Sequence, residues 1–104
     1  VKERSQEVRE QAITSVIQER YRQDNKWGIQ RHRYLLWRTI LGEEIGEMDK
    51  AWLHTQFGGS EAGKDKVMKE MVQACAVLLA MIETQIECGD SFIGLSEENG
   101  AEVK

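Results

Sequence analysis

Met71-Val72-Gln73-Ala74-Cys75-Ala76-Val77-Leu78-Leu79-Ala80-Met81-Ile82 is the stretch that decides the fold. Only Gln73 interrupts it, so as a helix it would be apolar nearly all round. A helix with no polar face is buried on every side. The chain has 104 residues, and a domain of this size buries only about 65% of its unfolded surface. Burying this helix therefore calls for a second subunit. The run is also shorter than the roughly 20 residues of a membrane span, so no membrane partner is expected.

Working outward, Gly89 is a natural stop for a helix over 64–88. On the other side, Gly58-Gly59 is strong punctuation, and Ser60 is a candidate cap, with Gly63 blurring the start. A second helix is expected over 30–56, with Tyr34, Leu35, Ile40, Leu41, Ile45, Met48 and Trp52 as its apolar positions. Trp37 and Trp52 sit at helical spacing and read as core or interface residues. Gln23–Gly28, with Asp24, Asn25 and Gly28, reads as a loop. A first helix covers 5–23, where Val8, Ala12, Ile13, Val16, Ile17 and Tyr21 recur every three or four residues. Ser5 is its candidate N-cap. In the tail after Asp90, Phe92, Ile93 and Leu95 are the available anchors. No Pro occurs in the chain. The expected fold is all-α: one domain over 1–104, an antiparallel helical bundle completed by oligomerisation.

The net charge of −4 hides two opposite halves. Residues 1–42 carry nine basic and five acidic side chains, net +4; residues 43–104 carry five basic and thirteen acidic, net −8. A duplex-binding protein wants a basic surface overall, so duplex nucleic acid is disfavoured as a partner. The acidic half invites cations and the basic half phosphates. Cys75 and Cys88 are too few for a disulfide framework. Thirteen residues apart on one helix, they lie about 20 Å apart, far beyond bridging distance. Free thiols and a polar N-terminus fit a cytoplasmic location.

The chemistry is concentrated in Leu41-Gly42-Glu43-Glu44-Ile45-Gly46-Glu47 and Glu70-Met71-Val72-Gln73. Glu44 and Glu47, and Glu43 and Glu47, are helix neighbours, and like charges at that spacing repel. Gly42 and Gly46 each cost a helix about 0.5–1 kcal/mol relative to Ala. A segment that breaks local rules without local gain is a candidate functional site. A divalent cation would offset the repulsion: Mg²⁺ takes oxygen ligands, keeps several waters and is held by one or two carboxylates plus substrate phosphates. A short Gly-rich link makes the two helices an antiparallel hairpin. Glu47 lies 11 residues before Gly58 and Glu70 lies 11 after Gly59, so the two sit at one depth, with Glu44 and Gln73 at the next. A solvated acidic face is the plainer alternative. A di-iron carboxylate site wants Glu-x-x-His, and neither His32 nor His54 follows a Glu at that spacing.

Glu43-Glu44-x-x-Glu47 followed after 22 residues by Glu70-x-x-Gln73 resembles the MazG-like all-α nucleoside triphosphate pyrophosphohydrolases, whose pattern is E-E-x-x-E, a spacer, then E-x-x-D. The upstream Asp24-x-Lys26-Trp27-Gly28-x-Gln30-x-His32 is similar to a segment of small members of that group. The resemblance spans roughly residues 19–83. It implies Mg²⁺-dependent cleavage of a nucleoside triphosphate to monophosphate and pyrophosphate, with Mn²⁺ as a substitute ion. It also implies a homodimer or homotetramer with sites near subunit interfaces. By position, Glu44, Glu47 and Glu70 would ligate metal, with Gln73 at the fourth place. Glu43 would be a further ligand or would orient the attacking water. The chain departs from the pattern at Gln73, which offers a carbonyl oxygen but no charge. Lys26, Trp27, Gln30, His32, Lys66 and Lys69 are the candidate substrate-binding residues. Trp27 has two open readings: stacking on a base, or anchoring the corner between the first two helices. Arg20, Arg22, Arg31, Arg33 and Arg38 either meet phosphates or form a solvated face. A non-catalytic helical oligomerisation or regulatory module stands as the alternative function.

Overall fold

The computed structural model describes residues 3–58 and 62–94. Three long helices make up nearly all of it: α1 (Gln6–Trp27), α2 (Tyr34–Gly58) and α3 (Ala62–Cys88), followed by a single 3₁₀ turn over Gly89–Ser91. There is no strand among the described residues. The all-α expectation holds.

Ser5 caps α1 as its position predicts, its Oγ accepting from the Val8 N–H at 3.2 Å. The far end of α1 differs from the expectation. Asp24, Asn25, Lys26 and Trp27 are helical, not a loop. The cause is tertiary: the Arg20 guanidinium holds Asp24 Oδ1 at 2.8 Å one turn on and anchors the same turn to the Ala76 carbonyl of α3 at 3.1 Å. Gly28, at φ 79°, then ends the helix and returns its N–H to the Asp24 carbonyl. This left-handed backbone costs glycine little. The connection is residues 28–33, so α2 begins at Tyr34 rather than 30. Gln30 and His32 are loop residues. The Tyr34 N–H, which no helical carbonyl can serve, is taken by the Phe92 carbonyl at 2.9 Å. α2 runs through Gly58, and α3 starts at Ala62, two residues earlier than expected. Gly59 and the proposed cap Ser60 lie outside the described residues.

α2 and α3 form the antiparallel hairpin. Near the turn Thr55 meets Gly63; at the open end the Trp37 indole donates to Thr84 Oγ1 at 3.1 Å. The core is small: Trp37, Val77, Ala80, Met81 and Phe92, flanked by Ile40, Leu41 and Cys88. Phe92 shows that the tail does anchor; Ile93 stays exposed, and Leu95 lies outside the described residues. Trp37 is the buried tryptophan, whereas Trp52 is half exposed and Trp27 is 60% exposed. The corner-anchor reading of Trp27 is therefore overturned, because the core position it would need is held by Trp37.

α3 is buried on part of its circumference only. Ala74, Ala76, Val77, Ala80 and Met81 are covered, but Met68, Met71, Cys75, Leu78 and Ile82 are exposed. The last four recur at spacings of four, three and four, which places them in one stripe along the helix. The apolar stretch is also longer than Met71–Ile82. Gly63–Ser91 reaches the length and mean hydropathy (1.4 in its most apolar window) of a membrane-crossing helix, and the fold buries 33% of that window.

Gly63 is where the hairpin closes. A Cβ built there would overlap the Thr55 side chain and come within 3.2 Å of the Thr55 Cα. Backbone cannot step aside as a flexible side chain can. Gly63→Ala should therefore lower stability by about 1–3 kcal/mol, the usual cost of overpacking, although alanine is the better helix former. A lowered urea midpoint with an unchanged slope would confirm this.

Candidate functional site

α2 presents Glu43, Glu44, Gly46, Glu47 and Lys50, and α3 presents Glu70 and Gln73, to one open concavity of about 540 Å³. Every acid of the two motifs lines it, together with Gln73. Glu70 is buried, its side chain 6% exposed, and meets the Lys66 ammonium at 3.2 Å. The Glu44 carboxyl is held above the ordinary carboxylate range. Partial burial is the main cause, and the negative charges of Glu70, Glu47, Glu19 and Glu43 add to it. Carboxylates from all three helices thus act on one group.

Glu19 was not singled out by the sequence. It accepts from Arg22 Nε and Nη2 at 2.8 and 2.7 Å and from Gln23 Nε2 at 3.0 Å. The Arg22 hydrogen bonds hold its carboxyl below the usual range, and Arg22 in turn lies in the field of Glu44. The local signal, Glu19-x-x-Arg22, is an ordinary helix pair. Its proximity to Glu44 depends on how α1 seats on the hairpin, which no spacing within α1 encodes. Lys50 was missed for a similar reason: it is one cation on an acidic helix until the concavity is assembled.

The two suspect glycines separate. Gly42 is exposed, with Arg38 Nη1 3.3 Å from where a Cβ would stand. Gly46 lines the concavity, and a Cβ there would meet nothing within 4 Å. Among the described residues, no packing requires glycine at 46.

The other candidate residues lie elsewhere. Gln30 lines a separate cavity of about 370 Å³ with Arg20, Asp24, Arg31, Thr84 and Glu87. His32 packs edge-on against the Trp37 ring at 4.8 Å. Lys26 lies over the exposed Trp27 ring at 4.8 Å. None of Lys26, Trp27, Gln30 or His32 lines the acidic concavity, nor do Lys66 and Lys69, although Lys66 reaches Glu70. The basic stretch is largely engaged: Arg20 is buried against Asp24, Arg22 holds Glu19, and Arg31 pairs with Glu87 at 3.0 Å.

As a donor set for a cation, the concavity offers hard oxygen ligands and surplus negative charge, which suits Mg²⁺ or Mn²⁺. Among the described residues, no three His, Cys, Asp or Glu side chains are already gathered as a metal cage. Mg²⁺ does not require one, since one or two carboxylates with waters and phosphates suffice. The residues fit such an ion in chemistry. No family model, curated protein or solved structure matches the chain.

Burial and like charge both disfavour an ionised Glu44. The resulting destabilisation is absent below the ordinary carboxylate pKa, where folded and unfolded chains are both protonated. It grows as pH rises through the elevated folded pKa. Glu44→Gln should therefore raise the melting temperature of the metal-free protein at pH 7, with the gain shrinking toward pH 4. Thermal melts in EDTA across that range give the answer; an equal gain at both ends would mean that charge is not the cause.

Proposed function

We propose that the chain is a Mg²⁺-dependent nucleotide pyrophosphohydrolase, cleaving a nucleoside triphosphate to monophosphate and pyrophosphate. The observation that carries this reading is the meeting of Glu43, Glu44, Glu47, Glu70 and Gln73 around one concavity, where partial burial first and neighbouring negative charge second lift the Glu44 pKa. Open space at Gly46 adds support, because a helix glycine with no neighbour leaves room for a ligand. Glu44, Glu47 and Glu70 would hold the ion, with the Gln73 carbonyl as a neutral fourth donor. When bound, the ion neutralises phosphate charge and orients the triphosphate. Glu43 would accept the proton of the attacking water, and Lys66, which reaches Glu70, would meet the phosphates. Phosphoryl transfer is mostly positioning and charge stabilisation, so a site built from acids and lysines suffices. Within one chain, Lys26, Trp27, Gln30 and His32 do not share that concavity, and the proposal does not rest on them.

The test is pyrophosphate release from a panel of ribo- and deoxyribonucleoside triphosphates, with Mg²⁺, with Mn²⁺ and with EDTA. Metal-dependent release from at least one nucleotide is expected. No release from any of them refutes the reading.

The exposed stripe Met71, Cys75, Leu78 and Ile82 supports completion of the bundle by a second copy, as homodimer or homotetramer. In an antiparallel self-pairing along this stripe, Cys75 falls near the two-fold axis. Mild oxidation should then give a Cys75-linked dimer, abolished by Cys75→Ser and retained in Cys88→Ser. Light scattering that reports a monomer at tens of micromolar would dismiss the assembly. The same stripe favours the alternative, a non-catalytic oligomerisation or regulatory module. That reading expects the assembly without any metal-dependent thermal shift.

A further inference from the structure

We propose that Lys66 is a tethered substitute for the metal. Its ammonium neutralises Glu70 in the metal-free chain and gives the carboxylate up to an incoming divalent cation. This rests on the metal-binding reading of the concavity and adds to it a residue that competes for the site. A carboxylate as buried as Glu70 is unfavourable without a compensating charge. Among the described residues, Lys66 is the cation that contacts it, with Nζ 3.2 Å from Oε2. The two ends of this pair differ: the Glu70 side chain is 6% exposed and the Lys66 side chain 57%. The acid is fixed inside the fold while the base reaches it from water on a flexible four-carbon stem. Lys66 can therefore leave without moving backbone, and Glu70 cannot.

Helix chemistry alone does not explain the pair. Lysine four residues before glutamate is the weaker order for an i,i+4 pair. Lys66 pairs with Glu70, while Glu43, Glu44 and Glu47 line the same concavity as that acid. A divalent ion would carry twice the charge of the ammonium, at a concavity that both Glu70 and Glu44 line. Once displaced, Lys66 remains one helical turn from Glu70, free to meet an anionic ligand. Loading the cation and exposing a phosphate-binding ammonium thus become one event.

The experiment uses the full chain and Mn²⁺ alone, titrated by calorimetry and followed by thermal melts. Lys66→Met should bind Mn²⁺ roughly fivefold more tightly than wild type, the order expected when a partly buried ion pair no longer competes. Lys50→Met removes the same charge from the rim of the same concavity without touching Glu70, and should change affinity by less than about twofold. Lys66→Arg keeps a counter-ion and should bind like wild type. In EDTA Lys66→Met should melt below wild type, with the gap closing at saturating Mn²⁺. Equal affinities for Lys66→Met and Lys50→Met, or a melting gap indifferent to Mn²⁺, overturn the assignment of Lys66 and leave the metal site standing. Failure of wild type and every variant to bind Mn²⁺ overturns the metal reading and this inference with it.

Discussion

Glu47→Gln is expected to cut Mg²⁺-dependent pyrophosphate release at least about a hundredfold, the usual loss when one preorganised electrostatic contact at a reacting centre is removed. The amide keeps the shape of the side chain and one oxygen but discards its charge. Glu47 lies on the exposed rim of the concavity and contributes nothing to the core, so the fold should survive. Indeed, Glu47 is one of the charges that push the Glu44 pKa upward. Without metal, the variant should melt at the wild-type temperature or slightly above it. Lost activity combined with preserved or raised stability separates a functional acid from a structural one. Undiminished release would show that the concavity is not where chemistry occurs, whatever the source of the activity.

Trp37→Ala should be the most damaging single change to the fold. The indole is 2% exposed, packs with Val77, Ala80, Met81 and Phe92, and donates to Thr84 Oγ1. Truncating a buried tryptophan typically costs about 3–5 kcal/mol, out of a total stability of about 5–15 kcal/mol for a domain. For a chain this short, that is a drop in melting temperature of roughly 12 °C or more. Thr84 also donates to the Ala80 carbonyl at 2.8 Å, so loss of the indole does not strand its hydroxyl. The penalty is chiefly the cavity. Trp27→Ala, at an exposed ring, should change stability by less than about 1 kcal/mol. If the two variants melt alike, the core has been misplaced.

Residue spacing was a good guide where the determinants are local. Ser5, Gly58 and Gly89 mark ends that caps and breakers dictate, and the apolar periodicity of all three helices found its elements. It misjudged Asp24–Trp27, because the decisive contact is Arg20 reaching an α3 carbonyl 56 residues away. It placed the start of α2 too early, because Gln30-Arg31-His32 has no strong breaker and the true boundary is fixed by the Phe92 carbonyl. For the site, depth matching along a hairpin paired Glu47 with Glu70 and Glu44 with Gln73, and all four line one concavity with Glu43. Glu19 and Lys50 were illegible because their relevance is set by the angle at which helices seat. Lys26, Trp27, Gln30 and His32 lie upstream of the acids in sequence but share no cavity with them in space, as nearness along the chain does not fix direction.

The short turn after Gly89 works as a clasp. Phe92 plugs the end of the core with its ring while its carbonyl ties down the first amide of α2. A chain trimmed at Cys88 would lose both fastenings at once. The opening turn of α2 would fray, water would reach the Trp37 indole, and its fluorescence would shift to longer wavelength. Amides over Tyr34–Trp37 would then exchange with solvent deuterium well ahead of those around Glu44. A few residues far from the acids thus govern the lifetime of the end of the molecule opposite the hairpin bend.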